Sequence, residues 1–156
     1  MNNRSDPAEV RGLALTDLDA LLALYSDIGL LAPESDRQRL AMTWEKILAS
    51  DILRYTGVFV GKVLASTCHA VIVPNLSRGV RPYAILENVG TLSSHRRQGL
   101  GTLALRATIA LCWEAGCYKV MLASSVANTG AHAFYAALGF DALAKQSFVL
   151  KRPGGS

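Results

Sequence analysis

The chain has 156 residues, 51% of them hydrophobic and 18% charged, with a formal net charge of +4. That length suits a single domain that buries about two-thirds of its unfolded surface, and that balance excludes a disordered tail. No apolar run reaches the ~18 residues of a membrane span, and aromatics at 7% do not supply the interleaved basic face that nucleic acid requires.

Residues 1–6 are polar and expected to fray, and Ala8 to Leu15 can form a first strand. Thr16-Asp-Leu-Asp19 resembles a capping box ahead of Leu18, Leu21, Leu22 and Tyr25, whose spacing predicts a helix to about Asp27. Ile28 to Glu34, with Gly29 and Pro33, reads as a loop, after which Ser35 caps a second helix to about Ala49. Leu53 to Val60 and Val63 to Val73 flank Gly61-Lys62, the two-residue link of a hairpin. Pro74 to Pro82 is a loop by composition and a candidate substrate wall. A third run of strand, Tyr83 to Leu92, carries Gly90 where a bulge is expected. A long helix from Gly99 or Leu100 to Ala115 ends at Gly116, and Tyr118 to Ser124 reads as a buried strand. Asn128 or Thr129 opens a last helix, Gly130 to Leu138, and Phe140 to Leu150 is expected to hold one or two short strands before the polar tail from Lys151. The order βααβββαβαβ(β) implies a mixed, mostly antiparallel α/β sheet with helices on both faces, in one domain over residues 1–156 with its core at about 8–151.

The stretch Arg96-Arg97-Gln98-Gly99-Leu100-Gly101-Thr102 stands between a strand and a helix. The first N–H groups of a helix lack intrahelical partners and carry the positive end of its dipole. Gly99 and Gly101 let a ligand approach the backbone, and Arg96 and Arg97 add full charge, which together make an anion site. A dinucleotide fingerprint is a poor match, since Ser93 to Gln98 separates the glycines from the strand and Tyr118 to Ser125 holds no acid for a ribose. A P-loop fails because no Gly-Lys-Ser/Thr follows. The cysteines Cys68, Cys112 and Cys117 are odd in number and lack metal-ligand spacing, so they read as core residues and no metal is expected.

Arg96-x-x-Gly99-x-Gly101, followed by Asn128-x-x-Ala131-x-x-Phe134-Tyr135-x-x-Leu138-Gly139-Phe140, resembles the two signatures of the GNAT superfamily of acyl-CoA-dependent N-acyltransferases. The resemblance implies acetyl-CoA as donor, a small-molecule primary amine as acceptor, and direct attack of the amine on the thioester. It implies further that Arg96, Arg97 and the backbone of Gln98, Gly99, Leu100, Gly101 and Thr102 hold the pyrophosphate. Val89, Gly90 and Thr91 would pair with the pantetheine arm, and Asn128 would meet the coenzyme. Tyr135 matches the family's general acid. Glu87 is the candidate base, as the sole acid in a strand alongside the thioester, with a water as the alternative and a structural or solvated carboxylate as the bland reading. A homodimer is expected by family analogy alone.

His69 and His132 read as structural side chains, and His95, in the turn before the arginines, as phosphate-side or solvated. Arg78 and Arg81 in the Pro74 to Pro82 loop would suit an acceptor bearing carboxylate or phosphonate, or they are solvated loop residues. A non-catalytic acyl-CoA-binding module and acetylation of a protein amine are the competing functions.

Overall fold

The computed structural model describes residues 7–32 and 35–154, so residues 1–6, the loop positions Pro33 and Glu34, and the end of the tail lie outside the described residues. The described chain forms two compact units that meet between Leu122 and Ala123.

The first unit carries the strands β1 (Ala8–Gly12), β2 (Leu53–Val60), β3 (Val63–Val73), β4 (Tyr83–Thr91) and β5 (Val120–Leu122), with the helices α1 (Leu18–Asp27), α2 (Arg37–Leu48) and α4 (Leu100–Glu114), and a one-turn segment α3 (Ser77–Val80). The sheet order is β1-β2-β3-β4-β5. The pairs β1–β2, β2–β3 and β3–β4 are antiparallel, and β4–β5 is parallel. This is the mixed, mostly antiparallel sheet that the pattern of turn residues predicts, and the Gly61-Lys62 hairpin falls where its two-residue link places it.

The two faces of the sheet have separate cores. Tyr55 and Phe59 of β2 face α1 and α2, where Leu13, Leu21, Leu24, Trp44, Phe59 and Leu64 form one buried cluster. On the opposite face Ala104, Leu105, Thr108 and Cys112 of α4 are fully buried, and Cys68 joins them from β3. Complete burial of side chains such as Leu24 and Leu105 contributes about 2–3 kcal/mol each. All three cysteines are buried and unbridged. Burial pushes the Cys68 thiol up to about 12 and that of Cys112 to about 11, so both are inert core groups.

Local signals explain where elements start and stop. The first helix is preceded by a 3-10 turn, Leu15–Asp17, and the cap is not Thr16: Ala14 N–H donates to the Asp17 carboxylate at 2.7 Å. Asp36, not Ser35, caps α2, accepting from the N–H groups of Gln38 at 2.9 Å and Arg39 at 3.4 Å. Ser35 instead turns its hydroxyl back to the Ala32 carbonyl at 2.7 Å. Helix α4 stops as predicted, with Gly116 at φ 78° just beyond it.

Asp17 also ties β1 to α1. The Arg11 guanidinium grips it with two bonds, at 2.7 and 2.9 Å, and lies 4.0 Å over the Phe59 ring. That grip holds the Asp17 carboxyl below the usual aspartate range, against the opposing effect of its burial. The stability it contributes is therefore complete above the unfolded value of about 3.9 and is lost as pH falls through the folded value. Asp17→Ala is expected to cost about 2–3 kcal/mol at neutral pH in denaturant unfolding, because two charged bonds and a capped N–H go at once. The gap to wild type should narrow as the solution is acidified below about pH 4.

The second unit contains α5 (Thr129–Ala137). Asn128 caps it through a 3.1 Å bond from Ala131 N–H, and Gly139 at φ 93° ends it. Phe140 to Leu150 carries no strand, contrary to the expectation of one or two. Asp141 accepts the Leu143 N–H at 2.8 Å and turns the chain, and Leu143, Phe148 and Leu150 are exposed rather than paired into a sheet. No described helix is long and apolar enough to cross a membrane. Among the described residues no group of three or more His, Cys, Asp or Glu is placed to hold a metal ion.

Candidate active site

The turn into α4 is built to leave its N-terminus open. A single 3-10 turn, Ser93–His95, leads out of β4. Arg97 adopts φ 60° and Gly99 φ 79°, so the backbone reverses twice before the helix begins. Arginine tolerates that conformation at a cost, whereas glycine adopts it freely. Gly99 is the N-cap and offers no side chain to the helix. Leu103 is the first residue whose N–H reaches back to a helical carbonyl, that of Gly99, at 3.1 Å. The N–H groups of Leu100, Gly101 and Thr102 are therefore the helix's open donors. Arg96, Arg97, Gln98 and Gly99 are all exposed, and no atom stands within 4 Å of the place a Gly99 Cβ would take. Open donors, a positive dipole end and two exposed guanidinium groups fit a pyrophosphate.

This turn is anchored from α1. The Asp27 carboxylate accepts from Ser93 N–H at 2.7 Å and from the Ser93 hydroxyl at 2.8 Å. Those bonds, backbone first, hold its carboxyl below the usual range. Ile28 follows at once: a Cβ on Gly90 would come within 2.3 Å of its Cδ1. A side chain at Gly90 would therefore make the Ile28 side chain at the end of α1 move aside.

The expected bulge lies one step away from Gly90. Thr67 pairs with Gly90 and His69 with Glu87, so Asn88 and Val89 together oppose Cys68. Asn88 takes the positive φ of 50°, which its short polar side chain accommodates better than Val89 could. On its other side β4 pairs with β5 only as far as Leu86 and Leu122, and it continues to Thr91 along β3 alone. The main chain from Glu87 to Thr91 thereby presents one edge that β5 does not cover. Glu87 itself is exposed, at the start of that edge.

In the second unit Asn128 commits its carbonyl oxygen to capping α5, which leaves the amide N–H groups to donate elsewhere. The Tyr135 ring packs between Phe134 and Phe140, at centroid distances of 5.3 and 6.0 Å. His132 has a structural tie, Nε2 to the Ser125 carbonyl at 2.9 Å, and His95 Nδ1 meets the Ser94 hydroxyl at 2.9 Å.

The Pro74 to Pro82 loop walls an open, mostly apolar depression of about 390 Å³, lined by Ile72, Pro74, Asn75, Leu76, Val80 and Pro82. Neither loop arginine lines it. Arg81 donates to the Arg78 carbonyl at 2.9 Å and lies 5.9 Å over the Tyr118 ring. Asp27 is the site-proximal residue that sequence spacing did not single out, because its partner Ser93 lies 66 positions away along the chain.

Residues 18–140 match the model of the acetyltransferase (GNAT) family. A solved structure from Agrobacterium tumefaciens str. C58, described as an acetyltransferase, is 34% identical, with a TM-score of 0.87 over 92% of this chain and 99% of that one. Glucosamine-6-phosphate N-acetyltransferase of Arabidopsis thaliana superposes with a TM-score of 0.80 at 20% identity, covering 96% and 100%. The aminoglycoside N-acetyltransferase AAC(6')-Iy, solved with CoA, does so at 0.79 and 23%, covering 97% and 99%. At those two identities the likeness shows the fold alone. A comparison with curated proteins gives no match. The sheet, the open helix N-terminus and the family match lead to one statement: the chain belongs to the GNAT family of acetyltransferases.

Proposed function

We propose that this chain is an N-acetyltransferase that moves the acetyl group of acetyl-CoA to a primary amine of a small molecule by direct attack. One observation carries the reading: a strand edge freed beyond Leu86 leads, through the Ser93–His95 turn, to a glycine-capped helix N-terminus with its donors open. The first suits an extended amide-bearing arm and the second a pyrophosphate, and acetyl-CoA has both in that order. The small-molecule acceptor draws support from similar structures named for glucosamine-6-phosphate and aminoglycoside acetylation.

In this reading Arg96, Arg97 and the N–H groups from Gln98 to Thr102 hold the pyrophosphate, and Asn128 donates to the coenzyme. The main chain of Val89, Gly90 and Thr91 pairs with the arm, and an N–H there polarises the thioester carbonyl. The acceptor arrives protonated, so Glu87, directly or through a water, takes a proton before the nitrogen attacks. The C–N bond forms and the C–S bond breaks; Tyr135 gives its phenolic proton to the departing sulfur, and the phenolate takes back the second proton that the attacking nitrogen releases as it becomes an amide. The family match runs across the junction of the two units, which supports reading them as one catalytic domain.

The test is release of free thiol from acetyl-CoA across a panel of primary amines. Turnover with at least one amine is expected, and none across a broad panel would leave a coenzyme-binding module. Because Asp27 fixes Ser93 at the entrance to the pyrophosphate turn, Asp27→Ala is expected to raise KM for acetyl-CoA about fivefold with little change in kcat. An unchanged KM would show that the turn holds its shape without that anchor.

A further inference from the structure

Beyond Leu86, β4 loses β5 and keeps β3 alone as a strand neighbour, and the Asn88–Val89 bulge then interrupts that pairing too. The stretch past the bulge is the least supported part of the strand, and it is the part that a coenzyme arm would meet. Register resumes there with Thr67 opposite Gly90 and Ser66 opposite Thr91.

Ser66 adds side-chain bonds at this point. It is fully buried, and its Oγ donates to the Gly90 carbonyl at 2.8 Å and lies 2.8 Å from Thr91 Oγ1. A serine hydroxyl has a single proton and a carbonyl only accepts, so the second bond runs from the Thr91 hydroxyl to Ser66. Leu92 N–H reaches the Ala65 carbonyl at 2.9 Å, so Gly90 and Leu92 both turn main-chain groups toward β3. Alternation along the strand then sends the N–H and C=O of Thr91 to the edge that β5 does not cover. The Thr91 carbonyl accepts from Arg96 Nε at 3.5 Å, which ties the same residue to the turn into α4.

The next position gives the contrast. Thr67 is as deeply buried, but its hydroxyl turns the other way and donates to the Thr56 carbonyl of β2 at 2.9 Å. Leu64, Ala65, Cys68 and Ala70 along the same strand are buried and apolar, so the hydroxyl of Ser66 has bonding and not packing as its reason.

We infer that Ser66 is a positioning residue for the acetyl donor: its hydroxyl holds Gly90 and Thr91 past the bulge, so that the Thr91 main chain stands fixed on the free edge where the coenzyme arm pairs. The inference rests on the acetyltransferase reading and adds to it a residue of β3 that touches neither substrate. Ser66 acts only through β4.

Ser66→Ala and Thr67→Val form the test, because each deletes one fully buried hydroxyl and its bond to a strand carbonyl. Both should lower stability in denaturant to a similar degree. Only Ser66→Ala is expected to raise KM for acetyl-CoA, by about three- to tenfold, with the acceptor KM unchanged. The same rise should appear with S-acetylpantetheine, which has the arm and no pyrophosphate. Thr91→Val removes the other hydroxyl and keeps its shape, so it should show part of the rise, and Thr91→Ser should show none. A wild-type KM in Ser66→Ala overturns the inference, and so does an equal rise in Thr67→Val, which would make the effect one of stability. A rise with acetyl-CoA that is absent with S-acetylpantetheine assigns the effect to the pyrophosphate turn and overturns it as well. Should Ser66→Ala fail to fold, Thr91→Val and Thr91→Ser carry the same comparison. Absence of turnover with every amine sinks the acetyltransferase reading by itself, and acetyl-CoA affinity from titration calorimetry then reads Ser66 in place of KM.

Discussion

Gly99→Glu is expected to abolish acetyl-CoA binding, measured by titration calorimetry, while leaving the protein folded. Gly99 sits at φ 79° in the N-cap of α4, so any side chain there pays a backbone cost of about 1–2 kcal/mol. The protein offers no steric objection, because nothing lies within 4 Å of the added Cβ. A carboxylate at a helix N-terminus even favours the helix. It also occupies the dipole end and the open donors that a pyrophosphate would use, and it repels that group directly. Charge and not collapse is then the cause of the loss. Gly99→Ala carries the same backbone strain without the charge, and a far smaller loss is expected from it. Coenzyme binding of wild-type strength in Gly99→Glu would remove the turn from the donor site.

The second large effect is expected at Tyr135. Tyr135→Phe keeps the ring that packs against Phe134 and Phe140 and deletes only the hydroxyl. If that hydroxyl supplies the proton to the leaving thiolate, kcat falls about 100-fold or more, and KM for acetyl-CoA moves little. Donors with a more acidic thiol should suffer less, because they leave without help. A turnover rate equal to wild type would return Tyr135 to a purely packing role on α5.

Much of this architecture was legible in the letters, because the strongest signals are local. A two-residue Gly-Lys link between apolar runs fixed the β2–β3 hairpin, and Gly116 fixed the end of α4. The glycine-capped turn into α4 was legible for the same reason, since charge, glycines and a helix start fall within seven residues. Errors arose where two neighbours compete for one job. Ser35 and Asp36 are both good caps, and only the chain's path shows that Ser35 is engaged with Ala32. Gly90 drew the bulge because glycine tolerates it, yet Asn88 takes the positive φ and, with Val89, the bulge itself. Apolar letters after Phe140 suggested strands, and no neighbouring strand takes them up. The Asp27–Ser93 anchor spans 66 positions and no periodicity encodes it.

The uncovered edge of β4 has a consequence for how such a protein can diverge. What β4 offers beyond Leu86 is main chain, and the start of α4 likewise offers N–H groups. Amide groups are the same whatever side chains they carry, so the donor end of the reaction is written in backbone shape and is insensitive to most point substitutions. On the proposed reading the acceptor end is written in side chains instead, with Glu87 among them. A lineage of that kind exchanges one amine for another through a few side-chain changes while the backbone that meets the coenzyme stays as it was.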